Sequence, residues 1–247
     1  MSNPIRDEWQ SEDGAVRLIL GDCLDVLPTL SGIDAVVTDP PYGIGFAHGG
    51  GGGCLAESTR FAHETIAGDD RPFDPAPWLA FPVVVLWGAN HYADKLPPKA
   101  RWLVWDKRDG MASNDQADCE MAWTNATKPA RLFSHKWNGM LRDGEEKKRK
   151  RQHPMQKPVR LMVWTLDQVG IEKGRIVLDP YMGVASTVVA CVRTGRRAVG
   201  IEIRPGYWEI AVRRVRAELE RFPLFEAVAK PRQLELLDAG AVSVFPG

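Results

Sequence analysis

Along this chain, short apolar runs bounded by polar or Gly/Pro turns alternate with stretches of helical periodicity, the pattern of an α/β sheet. Residues 16–20, 35–38, 83–87 and 102–105 read as buried strands, and 121–124 and 131–134 could be two more. Residues 176–178 and 198–203 read as strands because each runs into a polar or Gly/Pro-containing turn. Helices are clearest late in the chain. One spans 159–169 behind Pro158, a residue suited to a first turn, and another spans 185–194 and stops before Gly195. A third, 205–222, places Tyr207, Ile210, Ala211, Val215, Leu219 and Phe222 on one core-facing stripe. Two stretches have no such pattern: 43–77, which contains five consecutive glycines and predicts a mobile loop, and 138–152, charged and exposed. In a compact domain, loops this long are usually functional or disordered.

The chain has 247 residues, room for one large domain or two small ones that bury their apolar surface without disulfides. No run approaches the ~20 apolar residues of a membrane span, and the polar start has no signal-peptide pattern. The four cysteines (Cys23, Cys54, Cys119, Cys191) have neither metal-type nor disulfide-framework spacing, so a reducing cytoplasm is the expected location. His48, His63, His91 and His135 show no ligand spacing either, and no metal is expected. Net charge is zero, yet residues 1–100 hold 6 Lys+Arg against 14 Asp+Glu while the remainder holds 26 against 18. The densest part is Lys147, Lys148, Arg149, Lys150 and Arg151, which can attract phosphate or simply form a solvated loop. Charge alone does not decide between the two.

The strongest local signal is Asp39-Pro40-Pro41-Tyr42, directly behind the apolar run 35–38. Open α/β sheets bind ligands at the carboxyl ends of such strands. Successive prolines fix φ and keep the preceding residues extended. They therefore present the Asp39 carboxylate, the Pro40 carbonyl and the Tyr42 ring in one set geometry. Those groups suit methylation of an aromatic amine. The lone pair of an exocyclic NH₂ is delocalised into its ring, and two acceptors, one per N–H, would favour the pyramidal, nucleophilic form. An aromatic face would hold a base outside its stack, at ~1–3 kcal/mol per base. The plain alternative is a stiff turn without chemistry.

A second signal lies at 177–187, where a strand meets a small-residue turn (Asp179, Pro180, Tyr181, Met182, Gly183) and then an apolar helix opening at Ser186 and Thr187. Such a turn admits a ligand to the backbone, and a helix N-terminus favours a carboxylate. Glu202 ends the next strand 23 positions after Asp179, near the ~20-residue offset at which an acid meets ribose hydroxyls. Asp22 and Cys23 follow the first strand, where the aspartate can accept from an adenine amine or cap a helix. Residues 153–158, with Gln156, Lys157 and Pro158, form an extended polar lead-in that could line a pocket or merely connect.

In this order the four motifs resemble the circularly permuted β class of amino-methylating DNA methyltransferases, phage-encoded and restriction-modification members above all. The resemblance covers about residues 16–216. It implies an α/β, Rossmann-like S-adenosylmethionine-dependent methyltransferase fold with a mostly parallel sheet and helices on both faces. It further implies one domain: a catalytic half at 16–105, a target-recognition insertion at 106–152, a cofactor half at 153–222 and a tail at 223–247. Asp39 and the Pro40 carbonyl would receive the target amine, with Pro41 in the same turn, and Tyr42 would stack on the flipped base. Asp179, Tyr181, Gly183, Ser186 and Thr187 match the cofactor motif, Glu202 its ribose-binding acid, and Asp22 and Cys23 the segment beside the cofactor's adenine. Asp39 borders the cofactor as well, and Lys157 falls in the segment that closes the methionine end. Ala185 stands where a second glycine is usual, and its methyl is expected to narrow the pocket.

Several chemistries are excluded. No cysteine sits in the proline-flanked setting of cytosine-C5 methylation, no cysteine pair spaced for a zinc deaminase exists, and no phosphate-loop pattern occurs. The expected reaction is site-specific transfer of methyl from S-adenosylmethionine to adenine N6 in double-stranded DNA, with cytosine N4 the nearest rival. An amine on RNA or protein, or a DNA-binding module with an inactive methyltransferase fold, are the other readings. Residues 106–152 carry Lys107, Arg108, Lys136, Trp137, Asn138 and Arg142 besides the basic block. Asn and Arg can read base edges, while Lys meets phosphate. The class occurs as monomers and homodimers, and a restriction-modification member would have a cognate endonuclease as partner. Asp39 and Gly183, distant in sequence, are therefore expected to line one cleft.

Overall fold

The computed structural model describes residues 3–45, 66–98, 101–111, 117–126, 129–138, 141–142 and 156–221. In chain order the first elements are β1 (Ile5–Gln10), β2 (Val16–Gly21), α1 (Cys23–Val26), β3 (Ala35–Thr38) and β4 (Val83–Trp87). Then come β5 (Arg101–Asp106), β6 (Cys119–Thr124), β7 (Arg131–Ser134) and the short pair β8 (Trp137–Asn138) and β9 (Leu141–Arg142). The last part holds α2 (Val159–Gln168), β10 (Ile176–Asp179), α3 (Ser186–Arg193), β11 (Arg197–Glu202) and α4 (Pro205–Arg221).

Nine strands form one sheet in the order β1-β2-β11-β10-β3-β4-β6-β5-β7. The centre, β2-β11-β10-β3-β4, is parallel throughout, while β1 and β6 run against it. The expected α/β, mostly parallel, Rossmann-like sheet is what the chain forms. The apolar runs explain the centre: every residue of β3 is buried, as a strand covered on both faces must be.

Alternation along the strands divides the core in two. Val16, Leu18, Ala35, Val37, Val85 and Trp87 face α2, α3 and α4. Ile19, Val36, Val84, Leu86, Leu178 and Ile201 face the other way, toward α1, Trp78 and Tyr92. Both faces are covered, but among the described residues the three long helices share one of them. The other is closed by α1 and by single 3₁₀ turns at Ala76–Trp78, Ala89–His91 and Ala93–Lys95.

Two elements depart from the sequence reading. β1 is polar and half exposed, an edge strand tied to β2 by a two-pronged Glu8–Arg17 pair at 2.7 and 2.9 Å, so no apolar pattern announces it. The stretch 43–77, expected as a mobile loop, is ordered where it is described. Asp69 and Phe73 are buried, and Trp78 just beyond is fully enclosed. The five glycines at 49–53 and the tail at 223–247 lie outside the described residues, as does the basic block Lys147–Arg151. Among the described residues no helix is long and apolar enough to cross a membrane.

What matters for the site is that β10 lies directly beside β3, with Val177 opposite Ala35 and Leu178 opposite Val36. Two strand ends that are far apart in the chain thereby open side by side.

Candidate active site

The carboxyl ends of β3, β10 and β11 border a cavity of about 460 Å³ lined by Asp39, Pro40, Pro41 and Tyr42 on one side. Asp179, Tyr181, Gly183, Ser186, Thr187 and Glu202 line the other, with Asp22, Cys23 and Lys157 also on its wall. Asp39 and Gly183 thus share one cleft. The two sides are joined by a buried hydrogen bond, Thr38 Oγ1 donating to Asp179 Oδ1 at 2.6 Å, across 141 positions of sequence.

Asp39 sits in a cluster of alternating charge. Tyr42 donates its hydroxyl to Asp39 Oδ1 at 2.6 Å, and the Lys157 ammonium donates to Asp39 Oδ2 at 2.7 Å and to the Tyr42 oxygen at 3.1 Å. Lys157 also forms an ion pair with Glu120 Oε2 at 2.9 Å, and Lys107 holds Glu120 Oε1 at 3.0 Å. Burial raises the Asp39 carboxyl above its usual range, and Lys157 only partly reverses this. Burial alone would depress Lys157, but Asp39 and Glu120 outweigh it and keep the ammonium charged. Glu120 is drawn the opposite way from its burial, down to about 2, by Lys157 and Lys107. Burial also pushes the Tyr42 hydroxyl well up, so it stays a donor.

The Tyr42 ring is fixed from several directions. It stacks on His91 with centroids 4.9 Å apart and planes 14° apart, and it crosses the α-carbon of Gly88 so closely that no side chain fits there. His91 is not among the cavity-lining residues, whereas Tyr42 is, so the histidine backs the ring from outside the cavity. The turn behind Tyr42 is secured by Asp69, whose carboxylate accepts from the Gly43 and Ile44 amides at 2.8 and 3.3 Å.

On the opposite wall, Asp179 is pushed up to about 6 by burial, against the pull of the Thr38 and Thr187 hydroxyls and the Tyr181 amide. Burial also raises Glu202, to about 7, despite backbone N–H donors at Arg204 and Gly183. The turn between β10 and α3 puts both Gly183 (φ +51°) and Ala185 (φ +65°) in the left-handed region. Ser186 Oγ donates to the Lys157 carbonyl at 2.8 Å, tying the lead-in of α2 to the start of α3. Asp22 caps α1 by accepting from the Leu24 amide at 2.9 Å, while Cys23 lies against Tyr181, its thiol pushed up to about 11 by burial.

The expectation for Ala185 changes. Its methyl is fully buried in the helix-side core and does not line the cavity, so it narrows nothing. Ala185→Gly relieves ~1–2 kcal/mol of left-handed strain. Against this stand the loss of a buried methyl, ~0.8 kcal/mol, and the entropy of a freer unfolded chain, ~0.4–1 kcal/mol. The effects nearly cancel. Thermal unfolding of Ala185→Gly should shift by less than about 3 °C; a gain of 6 °C or more would contradict this balance.

The residues expected to meet DNA divide. Lys107 is engaged by Glu120, and Arg108 is buried and paired with Asp118, so both point into acidic partners. Lys136 lies just before the β8–β9 pair, whose backbone carries Asn138 and Arg142. Glu120, Asp69 and His91 were not expected in the site at all. Glu120 had one visible signal, an acid embedded in the apolar strand it shares with Ala122 and Trp123.

A family profile described as DNA methylase matches residues 89–213. The Escherichia coli (strain K12) protein YubD, provisionally named a methylase, is 30% identical over 223 residues, 81% of this chain and 90% of its own length. The fold is similar to that of the cytosine-N4-specific PvuII DNA methyltransferase, with TM-score 0.53, 14% identity, and coverage of 86% of this chain and 93% of that one. It is also similar to M1.HpyAVI in its complex with SAM, with TM-score 0.51, 20% identity, and coverage of 81% and 98%.

Proposed function

The chain belongs to the N6/N4-type DNA methylase family, and from that premise we propose that it methylates adenine N6 at specific sites in double-stranded DNA, using S-adenosylmethionine. The observation that carries the reading is the shared cavity. A proline-stiffened acceptor turn on β3 faces the small-residue turn of β10, and Thr38 and Asp179 lock the two strand ends together.

The wall formed by Asp179, Gly183 and Glu202 fits the cofactor. Its glycine brings backbone close to a ligand, and its two buried carboxyls are raised because their protein partners only partly replace water. Further acceptance from ribose hydroxyls and the amino group would complete them. When bound, the cofactor supplies an electrophilic methyl on a sulfonium sulfur. With it bound, the amine lone pair would take that methyl as the N–C bond replaced the S–C bond, whose electron pair would stay on sulfur, and the proton lost from nitrogen would pass to water.

In this reading Asp39 Oδ and the Pro40 carbonyl each accept one N–H of the target amine, which frees its lone pair. Tyr42 offers its cavity-side surface to the base, braced by His91 and Gly88. Target reading falls to residues 106–152, between the catalytic half 16–105 and the cofactor half 153–222. An aspartate opening the acceptor turn leans toward adenine. Cytosine N4 is the second reading, favoured by the fold shared with the PvuII enzyme. Long-read sequencing of DNA from a methylation-deficient host expressing the protein reports base and site together. Mass spectrometry of digested DNA separates N6-methyladenine from N4-methylcytosine, and absence of both refutes the reading.

Glu202 offers a second test. Its carboxyl is raised from 4.5 in a free chain to about 7 in the fold. The protonated form is therefore the one the fold favours. That contribution is full below pH 4.5 and is lost as pH rises through 7, about 3 kcal/mol in all. Glutamine does not titrate. The melting temperature of Glu202→Gln relative to the wild type should therefore rise between pH 5 and pH 8, while its cofactor affinity falls about tenfold. A difference that stays flat with pH would exclude a buried, raised acid at this position.

A further inference from the structure

Four side chains form an alternating row, Asp39, Lys157, Glu120 and Lys107, reaching from the acceptor turn on β3 to the strand pair β5–β6. The row matters because of a conflict at Asp39. A carboxylate fully matched by a buried ammonium is a weak acceptor, and it cannot favour the positive charge that grows on an amine as it takes up a methyl group. Asp39 also already accepts from Tyr42.

We propose that Glu120 is a positioning residue for methyl transfer: by sharing Lys157 with Asp39 it keeps the lysine braced against the acceptor carboxylate without letting it neutralise that carboxylate. The proposal rests on the reading of Asp39 as the amine acceptor. Three observations support it. Lys157 is almost fully enclosed, with 6% of its side chain exposed, so its charge must be met by protein groups. Its two carboxylate contacts are close in length, 2.7 Å to Asp39 as a hydrogen bond and 2.9 Å to Glu120 as an ion pair without hydrogen-bond alignment. Lys107 occupies the far oxygen of Glu120 at 3.0 Å, which orients the carboxylate and balances the row at two charges of each sign. Without Glu120 the row carries a net positive charge, and among the described residues Lys157 has Asp39 as its one anionic partner. That is the wrong field for a reaction that builds positive charge on nitrogen. Glu120 does not itself line the cavity, whereas Lys157 does, so it acts through Lys157.

The test compares Glu120→Gln and Glu120→Asp with the wild type in single-turnover methylation of duplex DNA across pH. Glu120→Gln should lower kcat by about 10- to 100-fold. KM for DNA and calorimetric affinity for S-adenosylmethionine should stay within about threefold. Glu120→Asp should recover most of the rate. Losing a negative neighbour also makes Asp39 easier to ionise, so the acid limb of the kcat profile should move to lower pH in Glu120→Gln. The other groups around Asp39 (Tyr42, Tyr92, Asp179 and Lys157) keep their chemical identity. A merely structural glutamate would lower the rate without moving that limb. A rate within twofold of the wild type, or a lowered rate with an unmoved limb, overturns the proposal.

If Glu120→Gln does not fold, Glu120→Gln with Lys157→Met removes one charge of each sign. Because Glu120 acts through the lysine, the proposal requires this double variant to turn over within about threefold of Lys157→Met alone; a further loss of tenfold or more overturns it. Carbon NMR of the Asp39 carboxyl, wild type against the variants, reads the same coupling without turnover. A shift there in an enzyme that never methylates DNA would sink the functional reading and leave the charge-sharing intact. An unmoved Asp39 in an active enzyme would do the reverse.

Discussion

Asp39→Ala is expected to lower methyl transfer to DNA by about 10³-fold while S-adenosylmethionine still binds within about threefold of the wild-type affinity. The carboxylate is the charged acceptor of the turn, and alanine leaves the amine the Pro40 carbonyl in its place, an uncharged acceptor. The change is tolerable to the fold because Lys157 is not abandoned. It retains Glu120 at 2.9 Å and the Tyr42 oxygen at 3.1 Å. The lost carboxylate was itself costly to bury, as its raised affinity for protons shows. Stability should therefore change by only about 1 kcal/mol. Asp39→Asn should not restore activity, because its amide nitrogen or its oxygen must face either a lysine donor or the substrate amine, and one of the two is mismatched. Radiolabel transfer to duplex DNA alongside calorimetry of the cofactor measures both quantities. A variant retaining a tenth of the wild-type rate would remove Asp39 from the chemistry, and one that lost cofactor binding equally would make it a structural residue.

That Asp39 could be found from sequence while Glu120 could not has a physical reason. The acceptor turn is local: strand, two prolines and an aromatic residue are contiguous, so their geometry is implied by backbone restriction alone. The same is true of β10, its turn and α3, and the strand and helix bounds there lie within a residue or two of the periodicity. Glu120 enters the site through an antiparallel insertion, β6 between β4 and β5, which brings it to Lys157 from a distant segment. No spacing rule encodes that meeting. β1 was missed for a related reason. Its stability comes from backbone pairing and a surface ion pair rather than from burial, so it leaves no apolar signature. Ala185 was read from the motif as a change in the pocket, whereas the left-handed backbone there aims its methyl into the core. Side-chain direction is set by φ and ψ, which a motif does not specify. Lys107 and Arg108 illustrate the same limit. A lysine or arginine in a basic segment looks available for phosphate until the fold supplies Glu120 and Asp118 as partners.

Gly88→Ala carries the largest expected effect on stability, and it tests how Tyr42 is held. Gly88 follows β4 with φ +71°, a conformation that costs alanine ~1–2 kcal/mol. The added carbon would lie 1.9 Å from Cε1, 2.3 Å from Cζ and 2.5 Å from Cδ1 of Tyr42. A ring cannot yield that distance by small adjustments. It must leave its place against His91, and the hydroxyl must leave Asp39 and Lys157, adding ~1–3 kcal/mol of overpacking. Together these predict a loss of about 3 kcal/mol, or roughly 6–12 °C in melting temperature. Methyl transfer should fall by two orders of magnitude or more, since both the base platform and the hydrogen bond that orients Asp39 are lost. Cofactor affinity should hold, because Asp179 ends β10, two strands from β4, Gly183 lies in the turn that follows it, and Glu202 ends β11, one strand further away. The decisive measurement is a double-mutant cycle with Tyr42→Ala. Once the ring is absent, its three nearest clashes with the alanine at 88 are gone and the backbone strain remains, so the two changes together should destabilise less than their sum by about 1–3 kcal/mol. Strict additivity would mean that Gly88 serves the backbone alone, and the tyrosine would then owe its position to Asp39, Lys157 and His91.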